Sequence, residues 1–227
     1  MGRTVPNRSG EPFPPADGRC GLESPAIKRD SGITFLGDLP WGSHFCQFFK
    51  TKKDLRDILV PYFRAGIENN ECCIWVTSDF FTTDDALKAM KKGVPGFERY
   101  LANRQMEIFP HTDWYLKGGS FDLERTFRMW MAKHDEALAR GFAGMRVSGN
   151  PYWIDNKKDW DDFADYEAEI NKVIGGKKLL VLCTYSLVKC GLMEILDVVK
   201  NHEFALAMNH GKWQVVSNPT VGDWHTA

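Results

Sequence analysis

The sequence predicts a three-layer α/β domain with a mainly parallel central sheet and a C-terminal edge hairpin. Three observations carry that reading. Short apolar runs alternate along the chain with longer segments whose apolar residues recur at helical spacing. The run Leu179-Leu180-Val181-Leu182-Cys183 is apolar on both faces, as central strands of parallel sheets are. Near the C-terminus, runs at 203–208 and 212–216 flank Asn209-His210-Gly211, a hairpin signal.

Residues 1–31 are rich in Pro, Gly, Arg and Ser and read as a flexible tail that includes Cys20. Residues 32–216 read as one domain, and 217–227 as a second flexible tail. Within the domain, 33–39 is a short lead-in and Pro40-Trp41-Gly42-Ser43 a turn. The segment 44–49 is a buried strand. Thr51 and Asp54 have capping-box spacing, and Leu55, Ile58, Leu59, Tyr62, Phe63 and Ile67 give the following helix one apolar face. Residues 71–78 form the second strand, completing a strand–helix–strand unit of the right-handed kind.

Thr82 or Thr83 caps the next helix, which ends at Gly93. A short helix at 97–103 and a strand at 105–109 follow. The loop 111–119 carries Trp114 and Tyr115, either as a lid over the sheet rim or as packing that holds the loop down. A long helix runs from Asp122 to Gly141, with Leu123, Phe127, Trp130, His134 and Leu138 inward. A strand at 144–148, a helix starting near Asp159, a strand at 178–184 and a helix at 191–201 complete the alternation.

Composition bounds the function. A formal net charge of −1 in 227 residues gives no footing to a general nucleic-acid or membrane-surface binder. No apolar run is long enough to span a bilayer, and no secretory leader is present. Of the six cysteines (20, 46, 72, 73, 183 and 190), three sit in apolar strands, and none is spaced as a zinc ribbon. A reducing cytoplasm is the compartment these features predict.

Ligands of parallel sheets bind beyond the carboxyl ends of the strands. A nucleoside-triphosphate loop would lie between the strand at 44–49 and its helix, yet Lys50-Thr51-Lys52-Lys53 contains no glycine to wrap phosphates. The helix N-terminus and its lysines remain either a weak anion site or a solvated surface. Arg146 falls inside a buried strand and needs a carboxylate, with Asp79 or an acidic ligand as the expected partner. His44 and Cys46 alternate along one strand and share a face.

Several short stretches, taken in order, resemble the MEDS domain, the sensory domain of methanogens and methylotrophs. They are Gly37-Asp38 with Pro40-Trp41-Gly42-Ser43-His44-Phe45-Cys46-Gln47-Phe48-Phe49, Ile58-Leu59-Val60-Pro61-Tyr62-Phe63, and Asn69-Asn70-Glu71 with Trp75-Val76. Thr112-Asp113-Trp114-Tyr115, Arg146 with Gly149-Asn150, Cys183-Thr184-Tyr185-Ser186-Leu187, and His202 with Phe204-Ala205-Leu206 continue the match. The resemblance implies a cytoplasmic input domain for simple hydrocarbon derivatives such as methanol, methylamines or halomethanes. It also implies descent from RecA- and KaiC-type ATPases with a decayed phosphate loop, in agreement with the glycine-free 50–53 turn. Family members occur in the dichloromethane-responsive repressor and beside PAS and histidine-kinase modules. None is attached here, so output through another chain, or a fragment of a longer sensor, is expected.

The leading expectation is a non-catalytic sensor without cofactor that signals to a kinase, PAS or DNA-binding partner. Its ligand site would draw on His44, Cys46, Phe48, Asp79, Trp114, Tyr115, Arg146, Asn150, Trp153 and Tyr185. The alternatives are a metal-dependent sensor or enzyme, with His44, Cys46, Cys183 and His202 as candidate ligands, and a residual nucleotide binder using Asp79 and Asp155. A nucleophilic Cys46 activated by His44 is a further possibility.

Overall fold

A computed structural model describes residues 27–217. The flexible tails expected over residues 1–26, with Cys20, and 218–227 lie outside the described residues.

A two-stranded antiparallel ribbon comes first, from β1 (Lys28–Asp30) and β2 (Asp38–Pro40). β1 falls inside the stretch expected to be tail, and Pro40 closes a strand where a turn was expected. Next come β3 (His44–Phe49), α1 (Lys52–Glu68), β4 (Cys72–Thr77), α2 (Thr83–Gly93), α3 (Phe97–Ala102) and β5 (Met106–Pro110). The chain continues through α4 (His111–Trp114), α5 (Leu123–Ala139), β6 (Met145–Gly149), α6 (Lys157–Ile174) and β7 (Leu179–Ser186). It ends with α7 (Leu192–Asn201), β8 (Phe204–Asn209) and β9 (Lys212–Ser217).

The main sheet has seven strands in the order β5-β4-β6-β7-β3-β8-β9. Every neighbouring pair is parallel except the terminal β8–β9 hairpin. His210 and Gly211 turn that hairpin at positive φ, 47° and 76°, the geometry that twists a two-residue loop to match its strands.

Strand alternation sends side chains into two separate cores. Phe45, Phe49, Trp75, Leu180 and Leu182 pack under α1 and α2. Cys46, Phe48, Ile74, Val147, Val181, Cys183 and Tyr185 pack under α5, α6 and α7. Local signals set the helix starts. Thr51 and Asp54 form the expected capping box of α1, and Thr82 and Asp85 that of α2. α6 begins earlier than expected, because Asn156 rather than Asp159 accepts the first free amide. In α5 the inner face is rotated from the expected one. Thr126, Trp130, His134 and Ala137 are buried, and Leu138 is 38% exposed.

Arg146 is fully buried on the α1 side of β6, and its partner is not Asp79. Its Nε lies 2.7 Å from Glu71 Oε2, and its remaining nitrogens donate to the backbone carbonyls of Tyr62 (2.6 Å), Asp30 (2.9 Å) and Ser31 (3.2 Å). Arg29 Nε meets the other Glu71 oxygen at 2.8 Å. One buried carboxylate thus joins two guanidinium groups and fastens the N-terminal ribbon to the main sheet. Gly66 makes the room: a Cβ there would lie 2.9 Å from Arg146 Nε and 2.8 Å from Cys73 Sγ.

A Glu71→Gln substitution removes the carboxylate charge that is paired with the buried Arg146. We expect it to cost about 3–5 kcal/mol, read as a lower urea midpoint at unchanged slope. A loss below about 0.5 kcal/mol would mean that the pair contributes nothing beyond an ordinary surface site.

Candidate functional site

The register of β3 against β7 sets Cys46 opposite Cys183 and Phe48 opposite Tyr185. With period two, His44, Cys46 and Phe48 point to the α6–α7 side, as do Cys183 and Tyr185. α6 lays Glu167 over these strands, and the C-cap of α7 delivers His202. Each of these four segments therefore contributes polar groups to one buried cluster.

Glu167 is its hub. Its Oε2 lies 3.0 Å from His44 Nε2, 3.5 Å from His202 Nε2 and 3.6 Å from Cys183 Sγ. Its Oε1 accepts the Tyr185 hydroxyl at 2.9 Å. The outer ring nitrogens are fixed as well. His202 Nδ1 donates to Val198 O at 2.7 Å. Asn171 turns its Nδ2 to Asn201 O, so its Oδ1, 2.8 Å from His44 Nδ1, accepts from that nitrogen. His44 Nε2 and Glu167 Oε2 therefore face each other directly across 3.0 Å.

The electrostatics follow from this geometry. Burial pushes the Glu167 carboxyl up, but the His44 hydrogen bond and charge, then His202 and Tyr185, outweigh it and hold it below its ordinary value. Burial and the neighbouring His44 press His202 down to about 3, so it is neutral. Burial, then the Glu167 charge, push the Cys183 thiol and the Tyr185 hydroxyl well up, and both remain protonated donors. Cys46 is raised for the same two reasons, the reverse of what an activated nucleophile needs.

A cleft of about 650 Å³ opens beyond the carboxyl ends of β6 and β7, between the first turns of α6 and α7. Asn150, Tyr152, Trp160 and Tyr185 form its walls, with Asp155, Asp161, Glu194 and Asp197 around them. Two lysines are present, and both are ion-paired, Lys157 to Asp161 at 2.8 Å and Lys189 to Asp155 at 2.7 Å. Trp160 Nε1 donates to Asp197 at 3.2 Å. Behind the cleft wall, a void bounded by Trp160, Phe163, Glu167, Tyr185 and Asp197 has room for roughly one water-sized molecule. Tyr185 is common to the cleft, the void and the Glu167 cluster.

The other residues singled out in the sequence are dispersed. Asn150 lines the cleft and accepts the Tyr152 amide. His44 joins the Glu167 cluster, and Cys46 and Phe48 lie further along the same strand face. Trp114 and Tyr115 are each 2% exposed and packed, Trp114 on Phe109 and Trp130, Tyr115 beside Phe121, Trp153 and Phe163. Asp79 is exposed, 3.7 Å from His111, and Arg146 is on the opposite face of the sheet. Of the metal candidates, His44, Cys183 and His202 converge, with Glu167 in place of Cys46. Glu167 was missed, although a signal existed: Trp160, Phe163, Glu167, Ile170 and Ile174 follow helical core spacing with one carboxylate among apolar residues.

The anion site considered at 50–53 is occupied by the chain itself. The amides of Lys50 and Thr51 both donate to Asp54 Oδ2 at 2.9 Å. Lys52 pairs with Asp85 at 2.7 Å and Lys53 with Asp57. Burial tends to raise the Asp54 carboxyl, and these two amides bring it below its ordinary value.

No helix among the described residues is long and apolar enough to cross a membrane. No curated protein sequence matches the chain. Among solved structures it is similar to a KaiC-like protein of the hyperthermophilic archaeon Pyrococcus horikoshii, at 13% identity and a TM-score of 0.59, covering 84% of this chain and 86% of that one. It is also similar to the flagellar accessory protein FlaH of Methanocaldococcus jannaschii, at 13% identity and a TM-score of 0.53, covering 88% and 92%. At such identities the likeness is one of fold, that of a KaiC- or RecA-like α/β domain. Residues 43–203 match the model described as MEDS, methanogen/methylotroph, DcmR sensory domain, and the chain belongs to that family.

Proposed function

We propose that the chain is a non-catalytic cytoplasmic input domain that binds a small hydrocarbon derivative at the β6–β7 rim and signals to a separate kinase, PAS or DNA-binding protein. The family supports a sensory role. The observation that carries the rest is Tyr185, a residue common to the cleft wall and the buried cluster, where its hydroxyl holds Glu167. A ligand against Tyr185 is coupled to the packing of α6 and α7 on the sheet. It shifts their equilibrium by its differential affinity for two arrangements.

Among one-carbon compounds, methylammonium ions suit the site best. The cleft carries four carboxylates against two lysines already paired, and the partly exposed Tyr152 and Trp160 offer aromatic rings. A cation over the face of such a ring gains about 0.5–2 kcal/mol.

Two outcomes are expected. Methylamines should raise the thermal midpoint of the parent chain more than methanol or dichloromethane do, and Asp197→Asn or Trp160→Phe should remove most of that rise. A compound that stabilises the parent and both variants equally would place the pocket elsewhere. With magnesium and ATP the chain should release no phosphate, because Asp54 fills the helix end that would cradle it. Turnover lost on Lys53→Ala would overturn the non-catalytic reading.

A further inference from the structure

Behind Tyr185, four side chains from four segments converge with one donor atom each: His44 of β3, Glu167 of α6, Cys183 of β7 and His202 at the end of α7. These donor atoms all lie within 4.8 Å of one another. A tetrahedral ion with nitrogen and oxygen ligands at about 2.0–2.2 Å and sulfur at about 2.3 Å has edges of about 3.3–3.6 Å between ligands. Four of the six edges here are 3.0 Å (His44–Glu167), 3.4 Å (His44–Cys183), 3.5 Å (His202–Glu167) and 3.6 Å (Cys183–Glu167), and the other two are at most 4.8 Å. We infer that His44, Glu167, Cys183 and His202 form a binding site for a divalent transition-metal ion of borderline softness, such as zinc.

The outer partners are those a metal site requires. Nδ1 of His44 donates to Asn171 and Nδ1 of His202 to Val198, which turns each Nε2 inward as the ligating atom. The Tyr185 hydroxyl engages Glu167 Oε1, leaving Oε2 for the ion. Two nitrogens, one oxygen and one sulfur suit zinc and disfavour magnesium or calcium, which take oxygen ligands.

The charges also balance. A divalent ion binds the donors in their deprotonated forms, and the protons they give up leave to solvent. The bound state has one carboxylate, one thiolate, two neutral imidazoles and a doubly charged cation, with no net charge. A neutral assembly is what a buried core accommodates. The side chains of His44, Glu167 and His202 are at most 3% exposed, so the ion enters as the chain folds. The inference depends only on these donors. It stands or falls separately from the ligand assigned to the cleft.

The test uses the full chain. Elemental analysis of the purified protein should find one zinc-class ion per chain. Refolding with Zn²⁺ should raise the thermal midpoint over refolding with a chelator. Refolding with Co²⁺ should give a thiolate-to-cobalt charge-transfer band. Cys183→Ser should abolish the band, and Cys190→Ser should keep it. Asn171→Ala, which leaves all four donors in place, should weaken binding about 10–100-fold. If the parent chain holds no ion, shows no band and refolds to one midpoint with or without metal, the four residues are a hydrogen-bonded core and the inference is wrong. A band that survives Cys183→Ser places the ion elsewhere and equally overturns it.

Discussion

Glu167 is a carboxylate whose side chain is only 3% exposed, and the arrangement of one whole face of the sheet depends on satisfying it. An isolated buried charge costs several kcal/mol, so the surroundings must supply a proton, a counter-charge or donors. They supply them from His44, His202, Tyr185 and Cys183. Those residues come from β3, the end of α7 and β7, so the register of two strands and the docking of two helices are tied to a single side chain. A slip of one residue in β3 would turn His44 and Cys46 to the α1 face and leave Glu167 without its principal partner.

The opposite face has its own buried carboxylate, Glu71, with a different consequence. It joins Arg146 in the sheet to Arg29 in the N-terminal ribbon. It acts as a fastening between ribbon and sheet. The α6–α7 centre reaches the carboxyl-end rim through Tyr185.

The fold is similar to that of a KaiC-like protein, and in this chain the turn after β3 is filled by its own side chain. A phosphate cradle needs free amides at the start of a helix. Here Asp54 accepts those amides from within its own capping box. A side chain tethered three residues away outcompetes a diffusing anion, because it loses little freedom on binding. A cleft lies at the ends of β6 and β7, where the first turns of α6 and α7 form its walls.

The sequence by itself determined the local and periodic features. The order of strands and helices from His44 onward, except for the short α4 inside the expected loop 111–119, the Thr51–Asp54 cap, the hairpin at His210-Gly211 and the shared face of His44 and Cys46 all depend on spacings of a few residues. The glycine-free turn at 50–53 was legible for the same reason. Tertiary structure decided which distant charges meet. Arg146 needed a carboxylate, but Glu71 and Asp79 are both sequence-plausible partners, and only the crossing of β4 beside β6 brings Glu71 within 2.7 Å. The strand at Lys28–Asp30 was illegible because it has no core of its own and is held by carbonyls bound to Arg146. The convergence of His44, Glu167, Cys183 and His202 joins residues up to 158 positions apart. No periodicity encodes such a meeting, because it is made by strand order and helix docking rather than by neighbours along the chain.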